Sequence, residues 1–143
     1  MRLIVDASIA LKWVIREAGS LEAEHLLSAR FQLMAPDLIV AELANALWQK
    51  VRRAEITAEE ALVAARGLEQ APIELTPMRG LIGRASELAH ALDQPAYDCF
   101  YLALAVREGH PLVTADAQLS AAVAASSMAG LPKVLALADL ARV

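Results

Sequence analysis

"LIVDAS", residues 3–8, is a short apolar run that ends on a carboxylate. Leu3, Ile4 and Val5 read as a core strand, and Asp6 falls at its tip. Ser8 then reads as an N-cap, opening a short helix through about Arg16. Asp6 itself has two readings. Asp hydrogen-bonds its own backbone and favours chain reversal, so it serves as a turn residue. It also serves as the first ligand of a metal site. One carboxylate does not separate the two, and the rest of the chain has to supply partners.

Working outward, the pattern repeats. Gly19 and Ser20 break the first helix, and residues 21–29 read as a second one. Residues 33–35 form a second short strand, stopped by Pro36. Asp37 reads as the cap of a long helix to about Arg53, because Ile39, Leu43, Leu47 and Val51 recur every four residues. Thr57 and Glu60 spell a capping box for a helix to about Glu69. Residues 73–75 read as a third strand between Pro72 and Pro77. A helix covers 79–92, and another, apolar nearly all round, covers 96–107 and ends at Gly109. Residues 112–114 form a fourth strand, 117–125 a helix, and 134–135 a fifth short strand. Strands alternating with helices predict an α/β architecture with a parallel sheet. Nothing in the chain reads as a linker or repeat, so residues 1–143 are expected to form a single domain.

Composition narrows the class. The chain is 57% hydrophobic and 21% charged, which argues against a disordered chain and allows a full core. The formal net charge of −4 means that the molecule as a whole does not attract nucleic acid. A nucleic-acid role then needs a local basic patch or a metal that reverses the sign at the site. The one cysteine, Cys99, forms no internal disulfide and fits the reducing cytoplasm. Asp6 and Lys12 interrupt any secretory apolar region, and no apolar stretch is long enough to span a bilayer, so no membrane role is expected.

Four acids stand where acids are expensive or exposed to chemistry. Ligand sites of parallel sheets lie beyond the carboxyl ends of the strands. Asp6 follows strand one and Asp116 follows strand four, in "LVTAD". Glu42 lies in the apolar "DLIVAELANALW", and Asp98 opens "DCFYLALAV". Each alone reads as structural: Asp98, for example, is favoured by a helix N-terminus. Together they make a better case, and the physical reason to bring carboxylates together is cation binding. Two like charges about 4 Å apart repel by roughly 4 kcal/mol at an effective dielectric of ~20. Divalent magnesium or manganese, with hard oxygen ligands, offsets that repulsion. It also polarises a phosphate, which answers the net-charge objection.

On these residues the chain resembles the PIN-domain ribonucleases, and more narrowly the VapC toxins of toxin–antitoxin pairs. The matching segments are "LIVDASIALKWVI" at 3–15, "APDLIVAELANALWQKVRRAEI" at 35–56, "PAYDCFYLALAVREGHPLVTAD" at 95–116 and the apolar return at 134–137. The resemblance implies a three-layer α/β/α fold with a five-stranded parallel sheet. It implies Mg²⁺- or Mn²⁺-dependent hydrolysis of RNA phosphodiesters. By motif position, Asp6, Glu42, Asp98 and Asp116 form the acidic set. Asp6, Asp98 and Asp116 are the implied metal ligands, and Glu42 either ligates or positions the attacking water. Ser8 and Thr114 match polar positions beside the metal. Some relatives carry one more acid just after the last aspartate. Here Ala117, Gln118 and Leu119 follow, which leaves one ion or two open. The family also implies a cognate VapB-like antitoxin and a homodimer, with apolar positions in 37–66 available for either surface.

The remaining residues have plainer readings. Asn45, three residues after Glu42, shares its helix face and can orient Glu42 or a metal-bound water. His25, His90 and His110 lack ligand spacing and read as surface or capping residues. Trp13, Tyr97 and Tyr101 read as core, and Cys99 as buried packing. Lys50, Arg52 and Arg53 cluster at a helix end, where the dipole accounts for them. Two other readings stay open. One is a PIN scaffold that binds with little or no catalysis. The other is a Mg-dependent phosphatase, which fits poorly because Ser8 stands where a dehalogenase-type enzyme has a second aspartate. A phospho-acceptor receiver fits no better, since Asp6 stands without an acidic neighbour.

Overall fold

A computed structural model describes residues 1–140. The chain runs β1 (Arg2–Val5), α1 (Ala7–Val14), α2 (Ser20–Glu24), β2 (Gln32–Pro36), α3 (Leu38–Arg52), α4 (Ala58–Glu69), β3 (Ile73–Thr76), α5 (Ile82–Leu92), α6 (Ala96–Glu108), β4 (Leu112–Val113), α7 (Ala117–Ala125), β5 (Val134–Leu135) and α8 (Leu137–Leu140). The five strands form one sheet in the order β3-β2-β1-β4-β5. Every pair is parallel.

Apolar side chains leave the strands in both directions, as a sheet covered on both faces requires. On β1, Ile4 joins one buried cluster while Leu3 and Val5 join another. On β4, Leu112 and Val113 divide the same way. The larger cluster packs α3, α5 and α6 against one face, with Leu43, Leu88, Leu102 and Leu104 all buried. The smaller one packs Ile9 of α1, Ala23 of α2, Leu26 and Leu140 of α8 against the other. The result is three layers, α/β/α. Helix α6 is apolar nearly all round because it is buried nearly all round, at Cys99 and from Tyr101 through Ala105. It ends at Gly109 in the left-handed conformation, φ 71°, which a residue without Cβ adopts at no cost.

Several local expectations change. The second helix is one short turn, and His25–Leu27 continues as a 3₁₀ turn rather than as α-helix to residue 29. The fourth strand stops at Val113. The short α8 carries no signal strong enough to read in sequence. Ser8 lies inside α1, whose N-cap is Asp6, and neither hydroxyl nor carboxylate caps the helix. Asp37 does occupy the N-cap of α3, but its Oδ1 accepts from Met78 N at 3.2 Å instead of capping. Tertiary partners outcompete the local cap in both places. The T-x-x-E box on α4 is formed in both directions: Glu60 N donates to Thr57 Oγ1 at 3.1 Å and Thr57 N to Glu60 Oε1 at 3.0 Å.

Side chains away from the strand tips also sort themselves. Trp13 donates from Nε1 to the Ala23 carbonyl at 2.8 Å and packs between layers. Cys99 is free and buried. Tyr97 is the exception to the core reading, being 64% exposed. Lys50 does not merely answer a helix dipole: it bridges Glu17 at 3.1 Å and Glu55 at 3.3 Å, and Glu17 also pairs with Lys12 at 3.1 Å. That network ties the segment after α1 to the end of α3. Arg52 lies over the exposed Trp48 ring, 5.4 Å from its centroid.

Candidate active site

The strand order reverses direction between β1 and β4, because the chain builds β2 and β3 on one side of β1 and β4 and β5 on the other. The carboxyl ends of these two strands are therefore the topological switch point, where open α/β sheets take their ligands. Asp6 is the first residue after β1, and Thr114 to Asp116 follow β4 directly.

Hydrogen bonds knit the two tips together. Ser8 Oγ donates to Asp6 Oδ1 at 2.5 Å, and Thr114 Oγ1 donates to Asp6 Oδ2. Ala115 N donates to Ser8 Oγ at 3.0 Å, and Asp116 N donates to Thr114 Oγ1 at 3.0 Å. The two hydroxyls thus hold Asp6 by both carboxylate oxygens. Asp6 is buried, and burial pushes its carboxyl up to about 6. The bonds from Ser8 and Thr114 oppose that rise, and the charge of Glu42 adds to it.

Asp116 has a structural duty as well. It is the N-cap of α7, with Oδ1 accepting from Gln118 N at 2.9 Å and Leu119 N at 3.1 Å. Those bonds leave Oδ2 for other work. Asp98 lies in the first turn of α6, half-buried. Burial, then the charges of Asp116 and Asp6, push its carboxyl up to about 6. Glu42 lies on the second turn of α3 and is also half-buried. Its carboxyl is raised by burial and by Asp98, and lowered by a hydrogen bond from Tyr101. Tyr101 is the residue that sequence reasoning missed at this site. It is core, as expected, but its hydroxyl also donates to Glu42 Oε1 at 2.5 Å. The i, i+3 spacing from Asp98 was the available signal, since it puts both side chains on one face of α6.

Asp98 links the set: it feels the charges of Asp116 and Asp6, and Glu42 feels the charge of Asp98, so acids from the tips of β1 and β4 and from α3 and α6 are electrostatically connected. Among the described residues no lysine, arginine or histidine pairs with any of them. Nor do three acid, histidine or cysteine side chains stand close enough to form a ready-made cage for an ion. The donor set suits a hard divalent cation all the same: it is all oxygen, negatively charged and uncompensated. Magnesium in particular keeps several waters and binds through one or two carboxylates, so a closed cage is not needed. Asn45 is exposed on α3 and makes no hydrogen bond to Glu42. His25 and His90 are exposed on α2's 3₁₀ extension and α5.

Comparison with known proteins places the chain by family and fold. The family model described as PIN domain matches residues 3–124. Ribonuclease VapC3 of Pyrobaculum aerophilum is 32% identical over 122 residues, which cover 84% of this chain and 93% of the relative. Among solved structures, PAE2754 from Pyrobaculum aerophilum superposes with a TM-score of 0.71 at 22% identity, over 98% of this chain and 92% of the other. VapBC2 from Rickettsia felis, bound to a DNA fragment from their promoter, gives 0.65 at 12% identity, over 95% of this chain and 98% of the matched chain. The last two are likenesses of fold.

Proposed function

Since the chain belongs to the PIN domain family, with VapC ribonucleases among its relatives, we propose that it is a metal-dependent ribonuclease and the toxin of a VapBC-like toxin–antitoxin pair. One observation carries the catalytic half. Asp98 is electrostatically linked to Asp6, Glu42 and Asp116 at the carboxyl ends of β1 and β4, and no cationic side chain pairs with any of the four among the described residues. Asp6, Asp98 and Asp116 would hold Mg²⁺ or Mn²⁺, directly or through water. When bound, the ion supplies Lewis-acid chemistry at a phosphate oxygen and offsets the negative charge of the site. Glu42 orients the attacking water and takes its proton. Ser8 and Thr114 keep Asp6 in one orientation, and Asn45, exposed next to Glu42, serves as a contact for water or the RNA backbone. The attack is direct, so no serine, cysteine or histidine nucleophile takes part.

The partner half rests on the other face of α3. An apolar groove of about 340 Å³ runs between α3, α4 and β3, lined by Ile39, Leu43, Leu47, Leu68, Ile73 and Leu75. It suits an apolar segment of a VapB-like antitoxin. Exposed Leu62 and Val63 on α4 suit a homodimer contact. No helix among the described residues is long and apolar enough to cross a membrane. We place the protein in the cytoplasm.

The second reading is a PIN scaffold that binds without cleaving, and the absence of a ready-made cage among the described residues favours it. RNA cleavage by the purified, antitoxin-free protein separates the two. Cleavage with Mg²⁺ or Mn²⁺ that disappears with EDTA and in Asp6→Asn supports the nuclease. Metal binding without cleavage of a broad RNA panel supports the scaffold.

A further inference from the structure

We propose that Tyr101 is a positioning residue for Glu42: from the core of α6 it reaches α3 and donates to one carboxylate oxygen, Oε1, which fixes the orientation of the carboxylate and leaves Oε2 without a protein hydrogen bond among the described residues. The inference rests on the ribonuclease reading above and adds a residue to it. Three observations carry it. First, the donor is rigid. Tyr101 is 1% exposed, its ring packed in the main core, so its hydroxyl has one place to be. Glu42 by contrast is a long, half-buried side chain with several rotamers to choose from. Second, the bond is short, 2.5 Å, and Tyr101 is the single hydrogen-bond donor to Glu42 among the described residues. A buried tyrosine hydroxyl needs a partner, so the pair satisfies both sides. Third, two of the other three acids show the same device by other means. Asp6 is held through both oxygens by Ser8 and Thr114, and Asp116 through Oδ1 by two backbone amides. Tyr101 extends that pattern to Glu42. One face of α6 then supplies both the acid Asp98 and the anchor for the acid of another helix.

The test is a double-mutant cycle on the full chain: wild type, Tyr101→Phe, Glu42→Gln and the double variant, with Tyr97→Phe as a control at an exposed ring. Mn²⁺ affinity is read by electron paramagnetic resonance of the free ion, and cleavage is read as kcat and KM. Tyr101→Phe keeps the ring and removes one hydroxyl. It is expected to weaken Mn²⁺ binding or lower kcat about 10-fold, the order seen for outer groups that orient a ligand. KM is expected to move little. The effect should vanish in the Glu42→Gln background, and Tyr97→Phe should match wild type. A Tyr101→Phe protein with wild-type affinity and kcat overturns the proposal, and so does an equal loss in the Glu42→Gln background. Glu42→Asp, one methylene short of the hydroxyl, reads the same contact without touching the core. If adding Tyr101→Phe to it costs a further 10-fold, the proposal fails. Wild type that binds Mn²⁺ but cleaves nothing overturns the ribonuclease reading instead, and the cycle in affinity still scores Tyr101.

Discussion

Asp6 shows most clearly how a single residue is used against its own preference. Its carboxyl is buried and rises from 3.8 to about 6, although two hydroxyls donate to it. The folded protein therefore binds this proton more tightly than the unfolded chain. The stability contributed here is full below about pH 4, falls as pH rises to about 6, and stays low above that. Asp6→Asn removes the charge while its amide still meets Ser8 and Thr114, one as acceptor and one as donor. We expect the variant, in EDTA near pH 7, to be more stable than wild type by about 1 to 3 kcal/mol. The gap should shrink toward pH 4, as a melting series across pH will show. The same substitution should abolish metal-dependent cleavage, so stability and activity move in opposite directions. Asp6 was legible as a candidate because an acid at a strand tip is suspicious. That the Ser8 hydroxyl would accept from Ala115 N, and Asp6 from Thr114, was not, because both partners lie more than a hundred residues away.

Elements divide into those held by local signals and those held by packing. Helix α4 belongs to the first kind. Its capping box is readable as T-x-x-E and is present in both directions. Thr57→Ala should cost about 1 kcal/mol in chemical denaturation and leave cleavage unchanged, since Thr57 is remote from the four acids. Helix α6 belongs to the second kind. Leu104 is fully buried at its centre, so Leu104→Ala should cost about 2 to 5 kcal/mol. Activity at permissive temperature should survive if Asp98 keeps its place at the helix start. The misread element is instructive. Residues 21–29 have helix-compatible composition, yet the chain tightens into a 3₁₀ turn at His25–Leu27. Leu26 has to enter the smaller core beside Leu33 and Val113, and that demand comes from outside the segment.

At the scale of the whole molecule, the acidic site and the cation it awaits are linked to proton binding. Asp6 and Asp98 both take up protons near pH 6 in the metal-free protein, and an ion competes for the same oxygens. Asp98 is half-exposed, so solvent screens its share and Asp6 carries most of the effect. Millimolar Mn²⁺ should therefore raise the melting temperature strongly near pH 7 and little near pH 5. A metal-induced shift that is the same at both values would contradict the proposed ligands. Removing the ion with a chelator should leave the fold intact, because two apolar cores, one on each sheet face, stand independently of the site.

The order of strands and helices, the parallel sheet and the proposal of four acids all come from the sequence by itself. Each depends on local periodicity, on cap and turn chemistry, or on an acid stranded among apolar neighbours. Only the tertiary structure decides that β4 inserts beside β1, with β2 and β3 on the other side. That choice brings the tips carrying Asp6 and Asp116 side by side, and it turns Thr114 and Tyr101 from strand end and core residue into holders of carboxylates. The physical reason is range. A hydrogen bond between residues 59 or 108 positions apart leaves no periodic trace in the chain. It exists only once the hydrophobic layers have brought its two ends together.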